Sequence, residues 1–128
     1  MKILSVDTSS ANCSVAIVEV DKNNFNIIIT DNNSEEKTHS QKLMPMIDNM
    51  FKISNLTLND IDLLACCLGP GSFTGIRIGI STLKAFADAK NIPTVGVQVG
   101  DAVRWSEATS FTKRVSLFTA KPEAAERI

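Results

Sequence analysis

Two stretches of the 128-residue chain set polar groups where they could hold a charged ligand. Asp7-Thr8-Ser9-Ser10 puts a carboxylate beside hydroxyls at the close of a short apolar run. Such a turn can hold a metal–phosphate unit; an Asp at a strand end equally caps its own turn. The second stretch, Gly69-Pro70-Gly71-Ser72-Phe73-Thr74-Gly75-Ile76-Arg77-Ile78-Gly79, joins an apolar run to a helical one. Backbone N–H groups and a helix dipole can receive an anion at such a junction. The candidate nucleotide- or anion-binding residues are therefore Asp7, Thr8, Ser9, Gly69, Gly71 and Ser72. The lysine of a Walker A loop is absent. Gly69-x-Gly71-x-x-x-Gly75 is a relative of the dinucleotide fingerprint, but that fingerprint follows the first strand and needs an acid near the end of the next. Val95-Gly96-Val97-Gln98 offers none.

Other catalytic constellations are thin. His39 is the only histidine, which excludes a paired-imidazole metal site and a His–His acid/base pair within the chain. Its own pattern reads as a first-turn surface residue. The three cysteines cannot make a disulfide framework, and Cys66-Cys67 sits in an apolar run as core. Arg77, the sole Arg of residues 1–97, could clamp a carboxylate or phosphate or be solvated or ion-paired. No Ser/His/Asp or Cys/His set is defined by spacing, and no metal site is expected.

The elements that position these groups follow from periodicity. Lys2 to Asp7, Cys13 to Val20 and Phe25 to Thr30 read as three strands, joined by turn residues into two antiparallel hairpins. Thr38-x-x-Gln41 fits a capping box, and Leu43, Met46, Ile47, Met50 and Phe51 recur at helical spacing over residues 39–53. Pro45 inside that helix predicts a kink or an irregular first turn. Ile61 to Leu68 is almost wholly apolar, as in a parallel strand buried on both faces. A second helix from Ser72 to Ala89 ends near Asn91-Ile92-Pro93, and Thr94 to Val97 makes the fifth strand. The order is βββαβαβ.

The second helix carries Gly75 and Gly79 one turn apart, with Ser81 and Thr82 beyond them. Each helical Gly costs about 0.8–1.0 kcal/mol against Ala, so close packing on that face is implied. The packing could be against the domain's own sheet or against a partner helix. Phe73, Ile76, Ile80, Leu83 and Phe86 put apolar area on more than one side. With Met44, Met46, Met50 and Phe51 they could form an adhesive surface or an ordinary core.

Composition is globular, with 44% hydrophobic and 21% charged residues. A net charge of −1 leaves no basic field to hold nucleic acid by itself. No apolar run reaches the ~18 residues of a membrane span, so a soluble, cytoplasmic chain is expected. Residues 1–97 hold ten Asn, seven Lys and one Arg, whereas residues 98–128 hold no Asn, two Lys and three Arg. This shift divides the chain into a lobe, 1–97, and a divergent tail, 98–128. The tail is expected to be either a native helical segment or a non-native or truncated end.

Asp7-Thr8-Ser9, His39-Ser40-Gln41 before Leu43-Met44-Pro45-Met46-Ile47, and above all the Gly69 to Gly79 stretch resemble the TsaB (YeaZ) family. The resemblance runs through about residues 1–97. It implies an α/β, actin-like ATPase (ribonuclease H-like) N-terminal lobe with a βββαβαβ mixed sheet, the family's second lobe being absent. A lobe without its mate would leave an interlobe face uncovered and favour aggregation or self-association. The family belongs to the machinery that adds threonylcarbamoyl to adenosine 37 of tRNAs reading codons that begin with A. The implied role is a non-catalytic scaffold that pairs helix to helix with the catalytic paralogue TsaD. A TsaE-type ATPase joins through that complex, tRNA is met only indirectly, and a homodimer can use the same surface. Carried onto this chain, the contact falls on Leu43, Met46, Ile47 and Met50, and on Phe73, Gly75, Ile76, Arg77, Gly79 and Ile80. ATP or ADP at the complex interface is the one cofactor implied. The competing class is an actin-fold nucleotide-dependent enzyme or a peptidase-like hydrolase.

Overall fold

β-branched and apolar residues fill the strands, and the sheet they form sets every other element. The computed structural model describes residues 1–9, 13–21, 24–33, 39–69, 71, 73–98 and 125–127. The order is β1 (Lys2–Asp7), β2 (Cys13–Asp21), β3 (Asn24–Asn33), α1 (His39–Ser54), a 3-10 turn at Leu58–Asp60, β4 (Leu63–Gly69), α2 (Phe73–Lys90), β5 (Thr94–Gln98) and β6 (Ala125–Arg127). Through β5 this is the expected βββαβαβ order.

The strands lie as β3-β2-β1-β4-β5-β6. β1 pairs antiparallel with β2 and parallel with β4, so two locally connected hairpins join a crossover-built half along one central strand. β4 and β5 are parallel. β6 is a departure from the sequence reading: this piece of the tail adds a strand antiparallel to β5, where a helical segment was one expectation. Residues 99–124 and 128 lie outside the described residues, as does Thr38 of the expected capping box. Among the described residues no helix is long and apolar enough to cross a membrane.

Alternation divides β1 between two faces. Leu4 and Val6 join Val15, Ile17, Leu64 and Cys66 in the main core, where α1 supplies Leu43, Met46, Ile47 and Met50 and α2 supplies Leu83. Ile3, Ala16, Val18 and Ala65 form a smaller cluster on the other face. Burial on both faces explains why β4 reads as a continuous apolar run. At the centre of the second face Ser5 stands in register between Ala16 and Ala65. Its Oγ is buried and has no hydrogen-bond partner among the described residues.

α1 runs on through Pro45, an exposed position, so the expected irregularity does not interrupt it. Both helices stop the same way. Asn55 and Asn91 take positive φ, 58° and 56°, and the next residues reach back five positions, Leu56 N–H to Phe51 carbonyl and Ile92 N–H to Ala87 carbonyl. These bonds satisfy carbonyls that the last turn leaves open, with Asn in the place usually taken by Gly.

Candidate functional site

Parallel pairing of β1 with β4 brings both glycine- and hydroxyl-bearing turns to one end of the sheet, since Val6 and Cys66 are register partners. Gly69 has φ of 102°, and a Cβ there would meet Ile76 Cδ1 at 2.8 Å. Gly71 lies against the Ser9 carbonyl so closely that any side chain would collide with it. The glycines of the loop therefore let it fold onto the Asp7-Thr8-Ser9 turn. Pro70, Ser72 and Ser10 are outside the described residues.

The polar groups of that turn face inward. Asp7, Thr8 and Ser9 are 4%, 0% and 4% exposed. One Asp7 oxygen accepts the Ser9 backbone N–H at 3.0 Å and the Ser9 hydroxyl at 2.6 Å. This is the self-capping turn, one of the two readings its sequence allowed. Thr8 donates its hydroxyl to the Gly75 carbonyl at 2.5 Å, and Ser9 Oγ lies 3.5 Å from Cys67 Sγ. The Thr8 and Ser9 hydroxyl hydrogens are thus donated within the chain, to the Gly75 carbonyl and the Asp7 carboxylate. Among the described residues no group of three or more His, Cys, Asp or Glu comes together to hold a metal ion.

The thiols beneath this turn are core groups, as their apolar setting implied. Cys13, Cys66 and Cys67 are buried, and none is in a disulfide. Burial first, then Cys67 and Asp7, push the Cys66 thiol up to about 12. Burial, then Asp7 and Asp31, lifts Cys13 to about 11. Both stay protonated near neutrality and are poor nucleophiles.

The helical candidates separate into two groups. Leu43, Met46, Ile47 and Met50 are 1%, 8%, 2% and 1% exposed, sealed in the main core. Their assignment to a partner surface is corrected: the apolar stripe of α1 is consumed by the sheet beneath it. Met44, exposed like Pro45 and Asp48, lies on the other side of that helix. Gly75 and Gly79 are also buried. A Cβ on Gly79 would meet Thr8 Oγ1 at 2.6 Å and Cys66 Sγ at 3.2 Å, so the glycine face is turned to the chain's own sheet. Ile76 and Ile80 are half-buried.

Phe73 and Arg77 are the candidates left in the open. Phe73 is 74% exposed, and the Arg77 guanidinium lies 5.6 Å above its ring, a cation–π contact. Thr74, Arg77, Ile78, Ser81 and Thr82 line an open groove of about 440 Å³ along the same face of α2. The sequence reading missed Thr74 and Ile78 as lining residues, while it had named Ser81 and Thr82 in the run of small side chains on this helix. Their i, i+3, i+4, i+7, i+8 spacing was the available signal. The side chain of His39, the first residue of α1, is outside the described residues.

The family model described as "TsaD: tRNA N6-adenosine threonylcarbamoyltransferase" matches residues 28–116. The chain is 36% identical over 97 residues to the tRNA threonylcarbamoyladenosine biosynthesis protein TsaB of Escherichia coli K12, covering 76% of this chain and 40% of that one. It thus spans well under half the length of that relative. The solved structure of YeaZ from Pseudomonas aeruginosa superposes with a TM-score of 0.67 at 30% identity, over 76% of this chain and 43% of that one. Thermus thermophilus RuvC superposes with a TM-score of 0.61 at 7% identity, over all of both chains, a likeness of fold alone. The mixed sheet and its order are those of the ribonuclease H-like, actin-like class.

Proposed function

The chain belongs to the TsaB (YeaZ) family, and from that premise we propose that it serves tRNA threonylcarbamoyladenosine biosynthesis as a non-catalytic partner subunit. It pairs through the open face of α2 with a TsaD-like transferase, which performs the transfer to adenosine 37. A TsaE-type ATPase joins that complex, tRNA meets the assembled complex, and the work is cytoplasmic. A second copy of the chain competes for the same face. The observation that carries the reading is the exposed groove around Arg77, bordered by an unburied Phe73. A large aromatic and an arginine held in place beside small side chains are what a helix-docking surface needs. Commitment of Asp7, Thr8 and Ser9 to internal bonds supports a subunit that leaves the chemistry to its paralogue.

The test is co-elution of the purified chain with a TsaD protein. Wild type is expected to co-elute, and Arg77→Glu to abolish the complex while changing stability by no more than about 0.5 kcal/mol, as for a surface substitution. Absence of any complex under conditions where a full-length TsaB binds overturns the reading.

A further inference from the structure

Several features of the sheet end converge on one side chain. Thr8 is completely buried between the end of β1 and the first half of α2. Its hydroxyl donates to the carbonyl of Gly75. The same oxygen lies 2.6 Å from where a Cβ on Gly79 would stand, one helical turn further on. The hydroxyl therefore occupies the notch that two glycines leave on the sheet-facing side of the helix. The turn around it is braced twice, by the Asp7 carboxylate holding Ser9 and by Gly71 pressed on the Ser9 carbonyl.

A helix face of glycine has no side chain to index it against a sheet, so apolar contact alone leaves its rotation and its position along the axis loosely defined. A directional hydrogen bond does define them. The Gly75 carbonyl can accept one, because a helix carbonyl uses one lone pair in the ladder and keeps a second. Thr74 precedes Gly75 and Arg77 lies two residues after it, so whatever fixes Gly75 fixes where the open face points.

We propose that Thr8 is a positioning residue whose hydroxyl sets the rotation and depth of α2 and thereby aims the Thr74–Arg77–Ser81 face at its partner. The aiming role rests on the docking function proposed above, whereas the effect on the helix is independent of it. The Asp7-Thr8-Ser9 turn is a clamp built for the glycine face, and each motif accounts for the other.

Thr8→Val removes the hydroxyl at nearly constant volume, and Thr8→Ser keeps it. The full chain would carry paired spin labels at the exposed positions Asp88→Cys and Asn26→Cys, and the distance distribution would be recorded for each variant. Thr8→Val is expected to shift or broaden it, and Thr8→Ser to match the parent. Affinity for TsaD, measured where every variant is folded, is expected to fall about tenfold for Thr8→Val, equivalent to ~1.4 kcal/mol. For Thr8→Ser it should stay within about twofold. If Thr8→Val does not fold, Thr8→Ala makes the same comparison without a methyl crowding the carbonyl. An unchanged distance distribution in the hydroxyl-free variant, or equal behaviour of the Ser and Val variants, overturns the proposal. Should the parent chain fail to bind TsaD, the docking function falls and the distance measurement still decides the role of Thr8.

Discussion

The Thr8 hydroxyl stands where Gly79 would carry a side chain, with Cys66 Sγ closing the same space from the neighbouring strand. Both neighbours are buried, so neither can swing into solvent. Gly79→Val is accordingly expected to lower stability by about 1–3 kcal/mol, the usual range for overpacking a filled core. A thermal or urea midpoint measures it. Lost partner binding at unchanged stability would contradict the inward-facing position of Gly79.

The two sides of α1 predict opposite outcomes for substitutions one residue apart. Leu43→Ala empties a site in the main core, where Leu43 is 1% exposed, and should cost about 2–5 kcal/mol. Met44→Ala, at a residue 47% exposed, should change stability by no more than about 0.5 kcal/mol. Chemical denaturation of both variants checks the assignment of faces.

Ser5 is an error the sheet tolerates. Its hydroxyl is buried between Ala16 and Ala65 and makes no hydrogen bond among the described residues. Replacing both it and its desolvation penalty by a methyl matches the neighbouring alanines. Ser5→Ala is expected to raise stability by about 1 kcal/mol, visible as a higher denaturation midpoint at unchanged denaturant slope.

The buried thiols give the fold a limit on its alkaline side. An unfolded Cys ionises near its ordinary value of 9.0, whereas folded Cys66 holds its proton to about 12 and Cys13 to about 11. Above pH 9 the unfolded chain sheds protons that the native chain keeps, so stability contributed by these groups is full below that pH and declines towards pH 12. A pH series of unfolding free energies should show the decline, and Cys66→Ala should flatten it. Native-state alkylation at pH 8 should be slow at both positions.

How far the sequence could be read differs between the two helices. The βββαβαβ order was plain because each strand is bounded by turn residues and β4 is apolar throughout, as burial on both faces demands. Both helix ends carry Asn followed by an apolar residue, and Asn91 was legible as a break while Asn55 was not singled out. Leu43, Met46, Ile47 and Met50 announced a stripe, and a stripe at helical spacing says only that something apolar covers it. Here the covering surface is the sheet. For Gly75 and Gly79 the contact that decides the matter is Thr8, 67 residues from Gly75 in the chain, and no local pattern encodes such a meeting. The tail differs again: its composition set it apart, and β6 at Ala125–Arg127 was not foreseen because three residues are too few to show a period.

The strand order also fixes a sequence of events in time. β1, β2 and β3 join through short connections, so their contacts close small loops and can be made early, ahead of any helix crossing. The hold of Thr8 on Gly75 closes one of the longest loops in the chain and cannot precede the arrival of β4 beside β1. α2 is thus latched only after that pairing, and a nascent chain halted before β4 would carry the hairpin ribbon and α1 but no α2 for Thr8 to hold.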